Sequence, residues 1–286
     1  PLYSSAASDV YKRQFVRHLF HVFKGIQALE FSELVTNSQR HAFESTVRKE
    51  GFSNFHITER DKNKNMLTAA QRDRYVVVNF IEPMKGNEKV FGFDTLSEAN
   101  RKQTFNQAID SGKLTLTSKL TLVQEHGTQS GVLAILPVYR NDMAHNTVDE
   151  KRANIQGFIV GVFRIGDMID SALNEIKHEN LAIQLYDNSS DTELDVLYES
   201  QEISARSLNL SNTFMMKLGD RFWKMNISVT KAYLDHHDEL SPNHIHANYS
   251  WHVLLMGLII TSLIGSATLI ITCLLYTSPS PRDAHE

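Results

Sequence analysis

In "SEANRKQTFNQAID" a guanidinium sits where an aliphatic side chain would be ordinary. If the segment is helical, Arg101 lies four residues before Phe105 and shares a stripe with it, beside Ala108 and Ile109. Two fates are open to such an arginine. Its stem can cover apolar surface while the head snorkels past the first turn to water. Alternatively the head points into an internal cavity, where its planar fork matches a carboxylate or a phosphate. A second group with ligand chemistry is "DHHDELSPNHIH", which sets His236, His237, His244 and His246 beside Asp235, Asp238 and Glu239. Imidazoles and carboxylates can hold zinc. The spacing fits no hydrolase pattern, however, and a polar histidine-rich linker is the preferred reading. The third is "IQGFIVGVFRI", in which Gly157, Ile159 and Gly161 point the same way on an extended chain. Two missing side chains leave either a hollow above a sheet or room for close helix packing.

Other chemistries are not written in the chain. It has no Gly-rich phosphate loop, no nucleophile motif, no phosphohistidine box, no ATP lid and no cyclase signature. No catalytic activity is therefore expected of this polypeptide, and no cofactor. The 29 basic and 33 acidic residues are well mixed, with no basic stripe to follow a phosphate backbone, so nucleic acid is not an expected partner. Cys273 is the single cysteine and lies in an apolar run, so the polar part of the chain has neither a disulfide nor a thiolate metal site.

These residues need elements to hold them. Ser97 as N-cap and Gly112 as C′ residue bracket the Arg101 helix at about fourteen residues. "IQALEF" (Ile26–Phe31) is a strand candidate, and "SQRHAFESTVRKEG" is a helix by the recurrence of Ala42, Phe43, Thr46 and Val47, ending at Gly51. "RYVVVNFIEP" (Arg74–Pro83) is a β-branched strand stopped by its proline. "LTLTSKLTLV" (Leu114–Val123) alternates as a half-buried strand. Gly131–Tyr139 and Ile155–Ile165 are apolar on both faces and should be central. Thr147 and Glu150 make a capping-box pattern between them. A connecting helix over Asp167–Ile176 then leads to a smaller strand set, "LAIQLYDN", "DVLYES" and "FWKMNISV". Strands and helices intermix with short links, which predicts an α+β fold with antiparallel sheets.

Val253–Leu275 carries no charge over 23 positions, enough to cross a hydrocarbon core of about 30 Å. A transmembrane helix is expected there, with Tyr249 and Trp251 at the headgroups. Between Ala232 and Leu275 there is no Lys or Arg, which marks the outer flank and puts the preceding domain outside the cytoplasm. Gly257, Thr261 and Gly265 recur every four residues, a face that lets two helices approach closely, so a homodimer through the span is expected. "SAASDVYKRQ" (Ser5–Gln14) and "CLLYTSPSPRDAHE" (Cys273–Glu286) resemble translated sequencing adapters and are set aside as non-native ends.

The middle of the chain closely resembles the CHASE domain, the extracellular sensory module of histidine kinases, diguanylate cyclases and related receptors. The resemblance is carried in order over Ile81–Ile165 by "IEP..GNE", "GFD", "SGK..LTS", "LVQE", "LPVY" and "TVDEKRANIQGFIVGVFRI", with weaker similarity back to Ile26 and on to Val229. It implies an N-terminal helix, a membrane-distal and a membrane-proximal PAS-like domain, and then a span. The expected fold is thus α+β: two tandem PAS-like domains with antiparallel sheets, an N-terminal helix and one C-terminal transmembrane helix. The expected organisation is a non-native end at 1–14, a helix and distal domain at 15–165 (core 26–165) and a proximal domain at 166–235. A juxtamembrane linker at 236–251, a transmembrane helix at 252–275 and a non-native tail at 276–286 would follow.

The resemblance also implies a small-molecule site in the distal domain. In the plant hormone receptors that share the domain, a helix Asp, a strand backbone group and a strand Thr hold the ligand. Counting from "GFD" to "LTS" places these on Arg101, Val123 and Ile135. A base replaces the acid and an alkyl group the hydroxyl, which argues against cytokinin and for a carboxylate or phosphate ligand. The residues expected to line the site are Arg101, Phe105, Val123, Ile135, Phe158 and Gly161. The expected function is an extracytoplasmic sensor integral to the inner membrane, with its soluble part in the periplasm and its kinase or cyclase output lying beyond this chain. An anchored metal-dependent enzyme and an adhesion or scaffold domain are the competing readings.

Overall fold

The structure is a computed structural model. It describes residues 20, 25–123, 129–174, 180–189, 195–200, 211–230, 233, 254–262 and 264–265. The chain divides into two compact units, Pro1–Ser171 with Gly219–Arg221, and Ala172–Leu218 with Phe222–Glu286.

The first unit is built on a five-stranded sheet. Its strands are β1 (Ile26–Thr36), β4 (Arg74–Glu82), β5 (Thr115–Leu116), β6 (Gly131–Tyr139) and β7 (Ile155–Arg164). They lie in the order β4-β1-β7-β6-β5, each antiparallel to its neighbour. A small hairpin of β2 (Thr58–Arg60) and β3 (Met66–Thr68) forms a separate sheet, tied to β4 through bridges at Phe93 and Asp94. The strands expected to be central take inner positions: β7 lies between β1 and β6. β1 runs for eleven residues, well past the apolar "IQALEF". Its polar second half, with Ser32 and Glu33, is held by ladders on both sides, to β4 and to β7.

The helices are α1 (Arg40–Lys49), α2 (Ala99–Ser111), α3 (Val148–Asn154) and α4 (Ile165–Asn174). Gly112 ends α2 in the left-handed region at φ 71°, its N–H bonded to the Ala108 carbonyl. The start of α2 differs from expectation. Asp94 caps a short 3-10 turn over Thr95–Ser97 by accepting from Leu96 N at 3.1 Å, so Glu98 takes the N-cap position instead of Ser97. Thr147 and Glu150 form the expected capping box at the start of α3. The expected strand over Leu114–Val123 shortens to β5, followed by a single bridge from Leu120 to Gly131. Between the two, Ser118 turns its hydroxyl to the Asn100 side chain on α2.

α2 contributes Phe105, Ala108 and Ile109 to one core cluster with Ala28, Val76, Leu133, Ile135, Phe158, Val160 and Val162. A second cluster gathers Phe43 and Val47 of α1 with Val35, Phe55, Ile57 and Tyr75. The second unit is built on β8 (Leu181–Asp187), β9 (Asp195–Glu199), β10 (Ser211–Leu218) and, from Phe222 onward, β11 (Arg221–Val229), in the order β10-β11-β8-β9, with Trp223, Met225 and Ile227 buried.

The expected fold is corrected in two respects. The described chain is mainly antiparallel sheet with few helices. Among the described residues no helix is long and apolar enough to cross a membrane, so the C-terminal transmembrane helix is not supported. The helical residues found there are 254–262 and 264–265, and Thr261 turns its hydroxyl back to the Gly257 carbonyl at 2.7 Å. Pairing of two copies through Gly257, Thr261 and Gly265 rested on that span and is not shown. The N-terminal helix and the histidine cluster Asp235–His246 lie outside the described residues, apart from Phe20.

Gly157 sits where β1 and β7 come close. A Cβ there would lie 2.6 Å from the Ser32 carbonyl oxygen and 2.9 Å from the Phe31 ring. This glycine therefore admits a neighbouring strand and does not open a hollow. Because β1 is also fixed by β4, it has little freedom to recede. Gly157→Ala is expected to cost about 1–3 kcal/mol and to lower the melting temperature of the first unit by several degrees. An unchanged melting curve would show that the strands separate more easily than the ladders imply.

Candidate ligand-binding site

The two strand registers fix which β1 side chains face α2. Ala28, Glu30 and Ser32 lie opposite Val162, Val160 and Phe158 on β7, and those lie opposite Leu133, Ile135 and Pro137 on β6. Val160, Val162, Phe158, Leu133 and Ile135 belong to the cluster that holds Phe105 of α2. Alternation along a strand thus carries a carboxylate, Glu30, and a hydroxyl, Ser32, onto the apolar face that α2 covers. Both are buried, Glu30 being 6% exposed and Ser32 wholly enclosed.

Arg101 comes to this core from the first turn of α2. Its side chain is 5% exposed, so the head does not snorkel to water. Nε donates to Glu98 Oε2 at 2.6 Å, and the guanidinium carbon lies 5.6 Å from the centre of the Phe93 ring. The other Glu98 oxygen accepts from Arg60, whose guanidinium approaches the same ring. One carboxylate thus orients two arginines about one buried aromatic ring. Arg101 Nη2 is buried and makes no hydrogen bond, and the same is true of Ser32 Oγ. A buried polar atom without a partner costs about 1–3 kcal/mol, and such atoms call for an explanation.

Charge in this region is set by burial and by the arginines. Burial pushes Glu30 up to about 7, against a weaker downward pull from the Arg101 charge. Burial also works against ionised Glu98, but Arg101 and Arg60 more than offset it and hold that carboxyl below its usual range. Asp94, which supports the approach to α2, is pushed up by burial against the pull of Val76 N–H and Arg72.

Four of the residues expected from the sequence come together here. Arg101 and Phe105 lie four apart on α2, Phe105 packs edge-on to Phe158 with ring centres 4.7 Å apart, and Ile135 belongs to the same cluster. Val123 is half-buried against it. Gly161 is on the other face of β7, in register with Leu29 and Ala134. Thr115, the cross-strand neighbour of Ile135, carries a hydroxyl that is bonded to the Lys113 carbonyl at 3.1 Å. Sequence reasoning missed Glu30, Ser32, Glu98 and Phe93. The available signal was the spacing of Ala28, Glu30 and Ser32 by two, which places an acid on the same side as a small apolar residue.

The raised Glu30 carboxyl has a consequence for stability. Between its ordinary value of 4.5 and the folded value of about 7, the folded chain keeps a proton that the unfolded chain has released. This group therefore withdraws stability as pH rises from about 4.5 to about 7, and the full penalty stands above that range. Glu30→Gln is expected to be more stable than the parent at pH 8, by on the order of 3 kcal/mol, with the gap closing by pH 4. Urea melts at the two pH values measure it; an equal gap at both would contradict the assignment.

Comparison with known proteins places the sequence in a family. The sequence model of the CHASE domain matches residues 13–198, more than half of the chain. A curated relative is Hybrid signal transduction histidine kinase A of Dictyostelium discoideum, 22% identical over 247 residues. The match takes in 77% of this chain, which spans only 11% of that protein's length. Among solved structures, an extracellular ligand binding receptor from Desulfohalobium retbaense DSM5692 aligns with a TM-score of 0.42 at 8% identity, over 76% of this chain and 32% of that one. The ligand-binding domain of the Pseudomonas aeruginosa PAO1 amino acid chemoreceptor PctC, in complex with GABA, aligns with a TM-score of 0.34 at 11% identity, over 79% and 83%. Neither structural likeness is close enough to carry an argument, whereas the match over residues 13–198 is: the chain belongs to the CHASE domain family.

Proposed function

We propose that this chain is the extracellular small-molecule-sensing part of a longer signal-transduction receptor, and that its ligand carries a carboxylate or a phosphate. The observation that carries the reading is the buried Arg101, oriented by Glu98 through Nε and left with an unpartnered Nη2 over an apolar sheet. A guanidinium fixed in this way is half of a bidentate anion site, since its remaining donors keep the fork geometry that matches two oxygens. Phe105, Phe158 and Ile135 supply the apolar wall and Val123 its half-buried edge. Gly161, on the far face of β7, has no part in the proposed site.

A sensor works by binding one state of a two-state element more tightly than the other. α2 suits that role because it carries Arg101 and packs on the sheet through Phe105, Ala108 and Ile109. A ligand bridging Arg101 and the sheet would favour one placement of α2 over another. For the output of the longer protein we propose a histidine kinase, which the curated relative supports by its own identity.

Thermal-shift screening with small carboxylates and phosphates tests the reading. At least one is expected to raise the melting temperature, and Arg101→Ala to weaken its binding by thirtyfold or more, on the order of 2 kcal/mol. Arg101→Lys, which keeps the charge without the fork, should recover only part of the affinity. An activating ligand without an anionic group, or an affinity indifferent to Arg101→Ala, would refute it.

A further inference from the structure

The anion reading leaves Glu30 unexplained. A site built only to attract a negative group would be weakened by a carboxylate on the facing strand, yet Glu30 is enclosed in the core that α2 covers. The Arg101 ion pair is made with Glu98, three residues earlier on the chain, and the influence of Arg101 on Glu30 is electrostatic only. The two side chains come from opposite layers, Arg101 from α2 and Glu30 from the middle of β1, in register with Val160 and Ile135. Ser32, one step along the same face, adds a buried hydroxyl with no partner. The core between helix and sheet thus holds a cation with an unused donor, an anion, an unused hydroxyl and aromatic walls.

We propose that the ligand is a small zwitterion of the amino-acid class, its carboxylate on Arg101 Nη2, its ammonium on Glu30, and Ser32 Oγ bonding to the ammonium or the carboxylate. This rests on the reading of the same site as a small-molecule pocket and narrows it. The chemistry is complementary at both ends: a guanidinium takes the carboxylate in paired hydrogen bonds, and an ionised carboxylate takes an ammonium at short range. Each pole of the ligand would satisfy a group whose burial is otherwise unfavourable. Selectivity follows from the same physics. A ligand lacking its ammonium leaves Glu30 buried without a counter-charge, and one lacking its carboxylate leaves Arg101 Nη2 unsatisfied, so either truncation is rejected.

The test uses the full chain and a panel of free α-, β- and γ-amino acids, each with its deaminated acid and its decarboxylated amine, read by thermal shift and calorimetric titration at pH 8. At least one amino acid is expected to bind ten times or more tightly than both of its truncated analogues. Glu30→Gln, which keeps the shape of the side chain, should bring the amino acid and its deaminated acid to within threefold of each other. Should that variant fail to fold, the same comparison on the parent chain serves: the preference over the deaminated acid should shrink between pH 8 and pH 5.5 as Glu30 takes up its proton. A deaminated acid that binds as tightly as its amino acid overturns the proposal and leaves the anion site standing, as does a panel in which only acids bind. If neither amino acids nor acids bind, the pocket reading falls with it.

Discussion

The core of the first unit depends on one constraint, the burial of Arg101 under the first turn of α2. Taking a guanidinium out of water costs several kcal/mol unless it is paired and hydrogen-bonded. Here Glu98 supplies the pairing through Nε, with Arg60 completing the carboxylate and Phe93 lying beneath both cations. That arrangement needs α2 to begin at Ala99, and Asp94 arranges this by capping the turn before it and binding Val76 N–H of β4. The start of the helix, its attachment to the sheet and the aim of Arg101 are therefore a single structural unit.

The proposed site adds to that unit a second buried ionisable group, Glu30, in the same core. Two opposite charges that are buried but not in contact are a poor solution for stability alone, because neither receives the full benefit of the other. Hydrophobic residues of similar volume would serve a purely structural core at least as well. The unpartnered Arg101 Nη2 and Ser32 Oγ belong to the same pattern. A sensor has reason to keep such a deficit, since a ligand that relieves it gains affinity for the state in which the groups face each other.

Much of this was legible from residue types. Runs apolar on both faces gave the inner strands β6 and β7, Gly112 gave the end of α2, and the Thr147–Glu150 pair gave the start of α3. Arg101 stood out because helical periodicity put a charge on an apolar stripe. Glu30 did not, because one acid in a strand usually faces water; which side it takes depends on the ladders to β4 and β7, and these are tertiary facts. Gly157 was ambiguous for the same reason: a missing side chain can mean space or a close neighbour, and the neighbour proved to be β1. The start of α2 was misplaced by one residue because a capped 3-10 turn at Asp94 competes with Ser97. The C-terminal apolar run was read from its length, its hydropathy and its flanking residues, none of which establishes a helix, and among the described residues no helix reaches spanning length.

The central claim is that Arg101 holds an anionic group of a bound small molecule inside the core of the first unit. Its most direct test is mass spectrometry of the small molecules released on denaturing the purified chain, with Arg101→Ala prepared in parallel. The account predicts a released compound bearing a carboxylate or phosphate, present with the parent chain and depleted with the variant. A released compound without an anionic group, or one retained equally by both, would contradict it.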